Sequence, residues 1–248
     1  LSLGAIQMIE DTKGNTALHL ACAKGNVHAF TEIAQAAGAE TAVKVVNDRG
    51  EGTLHLATMV GSVEMMDRLI ELGANIHATD VSGMTPLMTA AKLGLTDAVV
   101  FLVDCVGRLG VDGKWGGGGA GDGKGKTEMT DNDSANDSAK SKREAIWRQK
   151  QQQRYVNLQC EEGSSTALHF ALENGRVKTA IALLGLGAEA AMRDKYGQNA
   201  MHLVARLGNL ECLIEMIDIV GTNGVNARDQ HWYYGDGHEN LFVFGLYT

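Results

Sequence analysis

The stretch Asn15-Thr16-Ala17-Leu18-His19-Leu20-Ala21 returns four more times with small changes. The copies are Gly52-Thr53-Leu54-His55-Leu56-Ala57, Met84-Thr85-Pro86-Leu87-Met88-Thr89-Ala90, Ser165-Thr166-Ala167-Leu168-His169-Phe170-Ala171 and Gln198-Asn199-Ala200-Met201-His202-Leu203-Val204. Six residues beyond each histidine position stands a glycine: Gly25, Gly61, Gly94, Gly175 and Gly208. Taking the unit to start at Asp11, Asn47, Asp80, Glu161 and Asp194 gives spacings of 36, 33, 81 and 33 residues. The 81 is one unit of 33 plus an insertion of 48. A period of this length marks a solenoid, which works as a displayed surface rather than as a pocket.

Each residue of the unit has a local task. Asp11 and Gly14 read as a tight turn, because glycine adopts backbone angles that other residues resist. Thr16 sits where a hydroxyl caps a helix, and Pro86 falls at a first helical position. Leu18, Leu20 and Ala21 form the apolar side of a short first helix, which Gly25 and its equivalents terminate. A second helix follows, as over Val63–Leu72 and Val177–Leu186, with apolar residues at helical spacing. Gly73-Ala74 and Gly187-Ala188 close it. One such unit cannot bury its own apolar face and needs neighbours on both sides.

These residues resemble the ankyrin repeat, over roughly residues 11–106 and 158–228. The resemblance implies an all-α, ankyrin-type helix-turn-helix solenoid with short β-hairpin-like turns, interrupted by a mostly disordered insertion. Residues 1–106 read as the end of a preceding repeat plus three copies, 107–157 as the insertion, and 158–228 as two further copies. Residues 229–248 read as a degenerate cap or the start of another region. Two departures stand out: Pro86 is the only proline, and Met88 replaces the histidine of the third copy. The resemblance also implies that His19, His55, His169 and His202 bond to backbone and link neighbouring turns. A zinc site needs ligands that converge, commonly two to four residues apart, whereas these lie 33 or more apart. No metal and no cofactor is expected.

The net charge of −8 argues against a nucleic-acid partner for the chain as a whole. Cys22, Cys105, Cys160 and Cys212 are scattered and read as small buried hydrophobes in a reducing compartment. The longest apolar run is about six residues, Ala98–Val103, so no direct membrane insertion is expected from the visible chain. With no secretory signal in view, the expected location is cytoplasmic. The chain opens on Leu1, and Ile6–Ile9 reads as the tail of an earlier second helix, so its true start is expected upstream. Asp229 opens a sixth unit that lacks the phrase; instead Trp232, Tyr233, Tyr234, Phe242, Phe244 and Tyr247 crowd together. A degenerate cap, a new domain and a misread gene boundary are equally open readings of that crowding.

The insertion changes composition abruptly. Gly113–Lys126 is glycine-dominated and Thr127–Ser141 polar and acidic, too poor in apolar residues to fold. Over 142–155 the residues favour a helix. From Lys140 to Arg154 there are six basic residues against one acid, Glu144, and the whole insertion is +3 while the remainder is −11. This segment suits an acidic partner, an anionic membrane surface or simple solvation. Ala120-Gly-Asp-Gly-Lys-Gly-Lys126-Thr127 is one residue from a phosphate-binding loop, and Gly116-x-Gly118-x-x-Gly121 matches a dinucleotide fingerprint. Neither follows a strand nor precedes a helix directly, so both reflect repetitive Gly/Lys sequence. Asn132-Asp-Ser134 and Asn136-Asp-Ser138 are glycosylation acceptors by pattern only.

Proteins of this resemblance bind through turn tips and the exposed side of the first helices. In this chain those positions include Lys13, Arg49, Met59, Val60, Met84, Lys92, Leu93, Tyr196, Arg206 and Leu207. The apolar ones among them form a candidate interaction patch. The function expected is a non-enzymatic protein-interaction scaffold. The alternative is the cytoplasmic repeat region of a larger membrane protein, because residues 163–212 resemble the late repeats of TRP-family channels.

Overall fold

The computed structural model describes residues 9–109, 137–208 and 210–220. Residues 110–136, with the glycine-rich stretch, the phosphate-loop-like string, the acidic stretch up to its last five residues and the pattern asparagines Asn132 and Asn136, lie outside the described residues, as does the aromatic segment 229–248.

Each phrase begins a first helix: α1 (Ala17–Ala23), α4 (Thr53–Val60), α6 (Pro86–Leu93), α9 (Ala167–Glu173) and α11 (Ala200–Leu207). Each is paired with a second helix: α2 (Val27–Ala37), α5 (Val63–Glu71), α7 (Thr96–Leu109), α10 (Val177–Gly185) and α12 (Leu210–Val220). First helices pack on first helices in one layer, and in the other α5 packs on α7, α7 on α10 and α10 on α12. The core is one continuous cluster running from Leu18 and Phe30 through Leu54, Leu69, Leu87 and Leu102 to Leu168, Leu183 and Met216. Helices α6 and α9 stack directly although the insertion lies between them in sequence. The longer first interval of 36 residues accommodates a short helix, α3 (Ala39–Lys44), whose Ala42 carbonyl accepts a hydrogen bond from the Thr53 hydroxyl at 3.0 Å.

The turns are braced from within. One carboxylate or amide oxygen of Asp11, Asn47, Asp80 and Asp194 accepts from the backbone N–H two and four residues ahead, at 2.8–3.0 Å. Neighbouring tips are also tied together, as by Asp48 N–H to the Lys13 carbonyl (3.2 Å) and Val81 N–H to the Arg49 carbonyl (2.9 Å). The tips stand so close that a Cβ on Gly14 would fall 2.7 Å from the Asp48 nitrogen, and Gly14 has φ +72°.

The fourth turn differs from the sequence-based register. Cys160, not Glu161, occupies the aspartate position: its N–H bonds to the Ser165 carbonyl at 2.9 Å, as Asp194 N–H does to Gln198. The turn therefore carries one extra residue. A thiol cannot brace the turn as a carboxylate does, and Cys160 Sγ instead donates to the Ser82 carbonyl of the preceding tip at 3.0 Å. Ser164, with φ +50°, stands where the other tips have a left-handed glycine. Replacing Ser164 by glycine relieves roughly 1–2 kcal/mol of left-handed strain and returns roughly 0.5–1 kcal/mol in chain entropy. The expected net gain is about 0.5–1 kcal/mol, read from the urea midpoint; a fall in the midpoint would show the serine to be unstrained.

Residues 142–155, read from the sequence as a helical segment, lie within α8 (Asp137–Val156). This helix packs along α7, and its last turn is buried: Tyr155 and Val156 are inaccessible. The Tyr155 hydroxyl donates to the Ile76 carbonyl at 3.0 Å, and the His77 ring meets the Tyr155 ring edge-on at 4.9 Å. Gln152 Nε2 reaches the Val103 carbonyl at 3.2 Å. Asn157, just after the helix, donates to the Gly187 carbonyl and accepts from Glu189 N–H. Gly107 of α7 lies against the Gln152 side-chain amide, whose Nε2 would be 2.7 Å from a Cβ placed there.

Candidate interaction surface

The histidines fix the geometry of the first-helix layer. In α1, α4 and α9 the ring Nδ1 accepts the N–H of the residue three positions back: Thr16 at 3.1 Å, Gly52 at 3.3 Å and Thr166 at 3.2 Å. That leaves the ring proton on Nε2, which in His55 and His169 faces the carbonyls of Met84 (3.1 Å) and Gln198 (3.2 Å) one repeat on. Each such ring caps its own helix and holds the next turn. His202 likewise accepts the Asn199 N–H at 3.2 Å. In the third copy Met88 has no ring to offer the Thr85 N–H, and capping rests on the Thr85 hydroxyl, which accepts the Met88 N–H at 3.3 Å. Burial holds the pKa of His19, His55 and His169 below the ordinary histidine value, outweighing nearby carbonyls and carboxylates. These rings are neutral struts.

On this scaffold the ends of the first helices are open to solvent. Met59 and Val60 at the end of α4, Lys92 and Leu93 at the end of α6, and Arg206 and Leu207 at the end of α11 are exposed. Val60, Leu93 and Leu207 share one register position, five residues past the histidine position, where α1 is followed by Lys24 and α9 by Asn174. At the tips Lys13, Arg49 and Tyr196 are exposed, and the Lys195 ammonium sits 5.2 Å from the Tyr196 ring centre.

Met84 corrects the sequence reading. Its side chain is half-buried and packs against the core, not outward with the patch. The reason is positional: the residue before the capping position closes the turn, and its carbonyl takes both Asp80 N–H and the His55 ring. Asn15, Glu51 and Gln198 are half-buried at the same place, and Ser165 is buried.

Sequence reading missed Arg176. Its side chain crosses the turn after α6, with its aliphatic carbons 2.7–3.1 Å from where a Gly94 Cβ would lie, and its Nε points at the Lys92 carbonyl at 3.4 Å. The signal was faint: the position carries Asn26 and Ser62 as helix caps in the first two copies, and an arginine there has no cap to make. It brings a cation to the edge of Leu93.

Chemically, the surface offers apolar side chains bordered by cations. Among the described residues no group of three His, Cys, Asp or Glu side chains converges to hold a metal. All four cysteines are buried and none forms a disulfide, with burial pushing the Cys22 thiol up to about 12 and Cys105 to about 11. Such thiols are poor nucleophiles. Among the described residues no helix is long and apolar enough to cross a membrane.

Against known proteins, a family model of ankyrin repeats in three copies matches residues 2–80, 31–112 and 138–229. The chain is similar to human NF-kappa-B inhibitor alpha, 33% identical over 83 residues, covering 32% of this chain and 26% of that protein. The mouse B-cell lymphoma 3 protein homolog is 32% identical over 105 residues, covering 42% of this chain and 23% of the relative. The matches thus span only about a quarter of these relatives' lengths.

Proposed function

This chain belongs to the ankyrin-repeat family, and we propose that it is a protein-interaction scaffold that acts by displaying its first-helix layer, with no bond-making chemistry. The observation that carries this reading is the run of solvent-exposed apolar side chains, Met59, Val60 and Leu93, at the ends of adjacent helices α4 and α6. Large apolar side chains brought together on an ordered surface supply binding energy once a partner removes them from water. Lys13, Arg49, Lys92, Tyr196, Arg206 and Leu207 flank or extend that patch and set specificity rather than affinity. One similar protein is named an inhibitor of NF-kappa-B, an action directed at a partner rather than a chemical conversion. Buried cysteines without disulfides suit a reducing compartment, and the cytoplasm is the location we propose.

A photo-reactive amino acid at Met59, introduced in cells, is expected to capture a partner by direct contact. The double substitution Val60→Glu and Leu93→Glu is then expected to weaken binding of the identified partner by roughly tenfold or more. Both positions are exposed, so the unfolding midpoint should barely move. Undiminished binding by a folded double variant would sink the reading.

A further inference from the structure

Helix α8 is held to the repeats by one side only. Gln152, Tyr155 and Val156 face α7 and the turns, through the Val103 and Ile76 carbonyls. At about 100° per residue, Arg143, Trp147, Lys150 and Arg154 fall within roughly 40° of the direction opposite Gln152. Their spacing is i, i+4, i+7 and i+11, a single stripe about 16 Å long. All four are exposed, as is the adjoining Ile146. No ion pair or ring contact among the described residues engages the three cations. The stripe is thus a preformed, unneutralised cationic ridge with an indole at its centre, on a chain that is otherwise acidic.

We propose that this ridge is a second docking site, separate from the first-helix layer, for an acidic segment of another protein that carries an apolar pocket or side chain for Trp147. Charge complementarity selects the occupant: three fixed cations flank one aromatic anchor, the pattern of a helix laid into an acidic groove. A membrane surface fits less well. Interfacial helices bury a broad apolar face, and among the described large apolar residues of α8 only Ile146 and Trp147 are exposed, because Tyr155 and Val156 are already spent on the repeats. Anchoring by Tyr155, Gln152 and Asn157 fixes the direction of the ridge, so little ordering cost accompanies docking. The inference stands independently of the reading of the first-helix layer, since it uses none of the same residues.

The test uses the full chain with Trp115→Phe and Trp232→Phe, leaving Trp147 as the only indole. The probes are a synthetic amphipathic peptide of glutamate and leucine, vesicles of phosphatidylcholine and phosphatidylserine in equal parts, and a short DNA duplex. The peptide is expected to shift Trp147 emission to the blue and to bind saturably by calorimetry. Combined Arg143→Glu, Lys150→Glu and Arg154→Glu should weaken that binding by about tenfold or more, and high salt should weaken it as well. Trp147→Ala should weaken it severalfold, while Lys24→Glu with Lys92→Glu on the other layer should leave it unchanged. No emission shift with the peptide, or equal binding by the charge-reversed chain, overturns the proposal. So does an equal loss in the Lys24/Lys92 variant, or binding of vesicles or duplex in preference to the peptide.

Discussion

Replacing Tyr155 by alanine is expected to cost about 3–5 kcal/mol, the range for truncating a large buried aromatic side chain. Tyr155 is among the largest fully buried side chains, and it comes from the insertion rather than from a repeat. Two losses combine. The ring leaves a cavity beside His77 and α7 that close-packed neighbours fill only in part. The Ile76 carbonyl also loses the hydroxyl that satisfies it. Tyr155→Phe isolates the second loss and is expected to cost about 1–2 kcal/mol. The effect should be local, since a solenoid is a chain of nearest-neighbour interfaces and α6 packs on α9 without help from α8. Hydrogen exchange should therefore show α8 amides deprotected first, with α1 and α4 unaffected. Equal midpoints for Tyr155→Ala and the unchanged chain would mean that α8 contributes no packing to the stack.

The tyrosine also shows where the sequence ran out. The five phrases placed the first helices, because local signals for cap, apolar side and terminating glycine agree within each unit. The stacking of α6 on α9 was legible for the same reason: copies on either side of the insertion remained in phase. Residues 142–155 were legible as helical by propensity, but not their attachment. Docking α8 depends on Gln152 meeting the Val103 carbonyl, 49 residues back, and Tyr155 meeting the Ile76 carbonyl, 79 residues back, and no local pattern encodes such meetings. The fourth turn was misplaced by one residue because a cysteine replaced the aspartate or asparagine that marks the others. Exposure at helix ends was legible from register for Met59, Val60 and Leu93. Met84 was not, since its half-burial follows from a carbonyl that serves the histidine of the preceding repeat.

That histidine linkage makes the stack acid-sensitive. His19, His55 and His169 are fully buried, and each accepts a backbone N–H on Nδ1. Protonation would put a hydrogen on Nδ1, against the very N–H it accepts. Burial accordingly depresses each folded-state pKa below the unfolded value of 6.5. As pH falls through that value the unfolded chain takes up protons before the folded one, so unfolding gains free energy. The stabilisation is fully present above about pH 6.5 and drains away as pH falls towards the folded-state values. Each proton by which the unfolded chain leads adds about 1.4 kcal/mol per pH unit, and the three rings act in the same direction. Urea midpoints should accordingly drop between about pH 7.5 and pH 5.5. His19 adds a refinement, because its Nε2 faces the carbonyls of Val45 and Glu51 without reaching hydrogen-bond geometry. His169, bonded at both nitrogens, is the better one to remove: His169→Gln should be less stable at pH 7.5 and yet show a shallower acid slope. Parallel curves for the variant and the unchanged chain would place the acid sensitivity elsewhere.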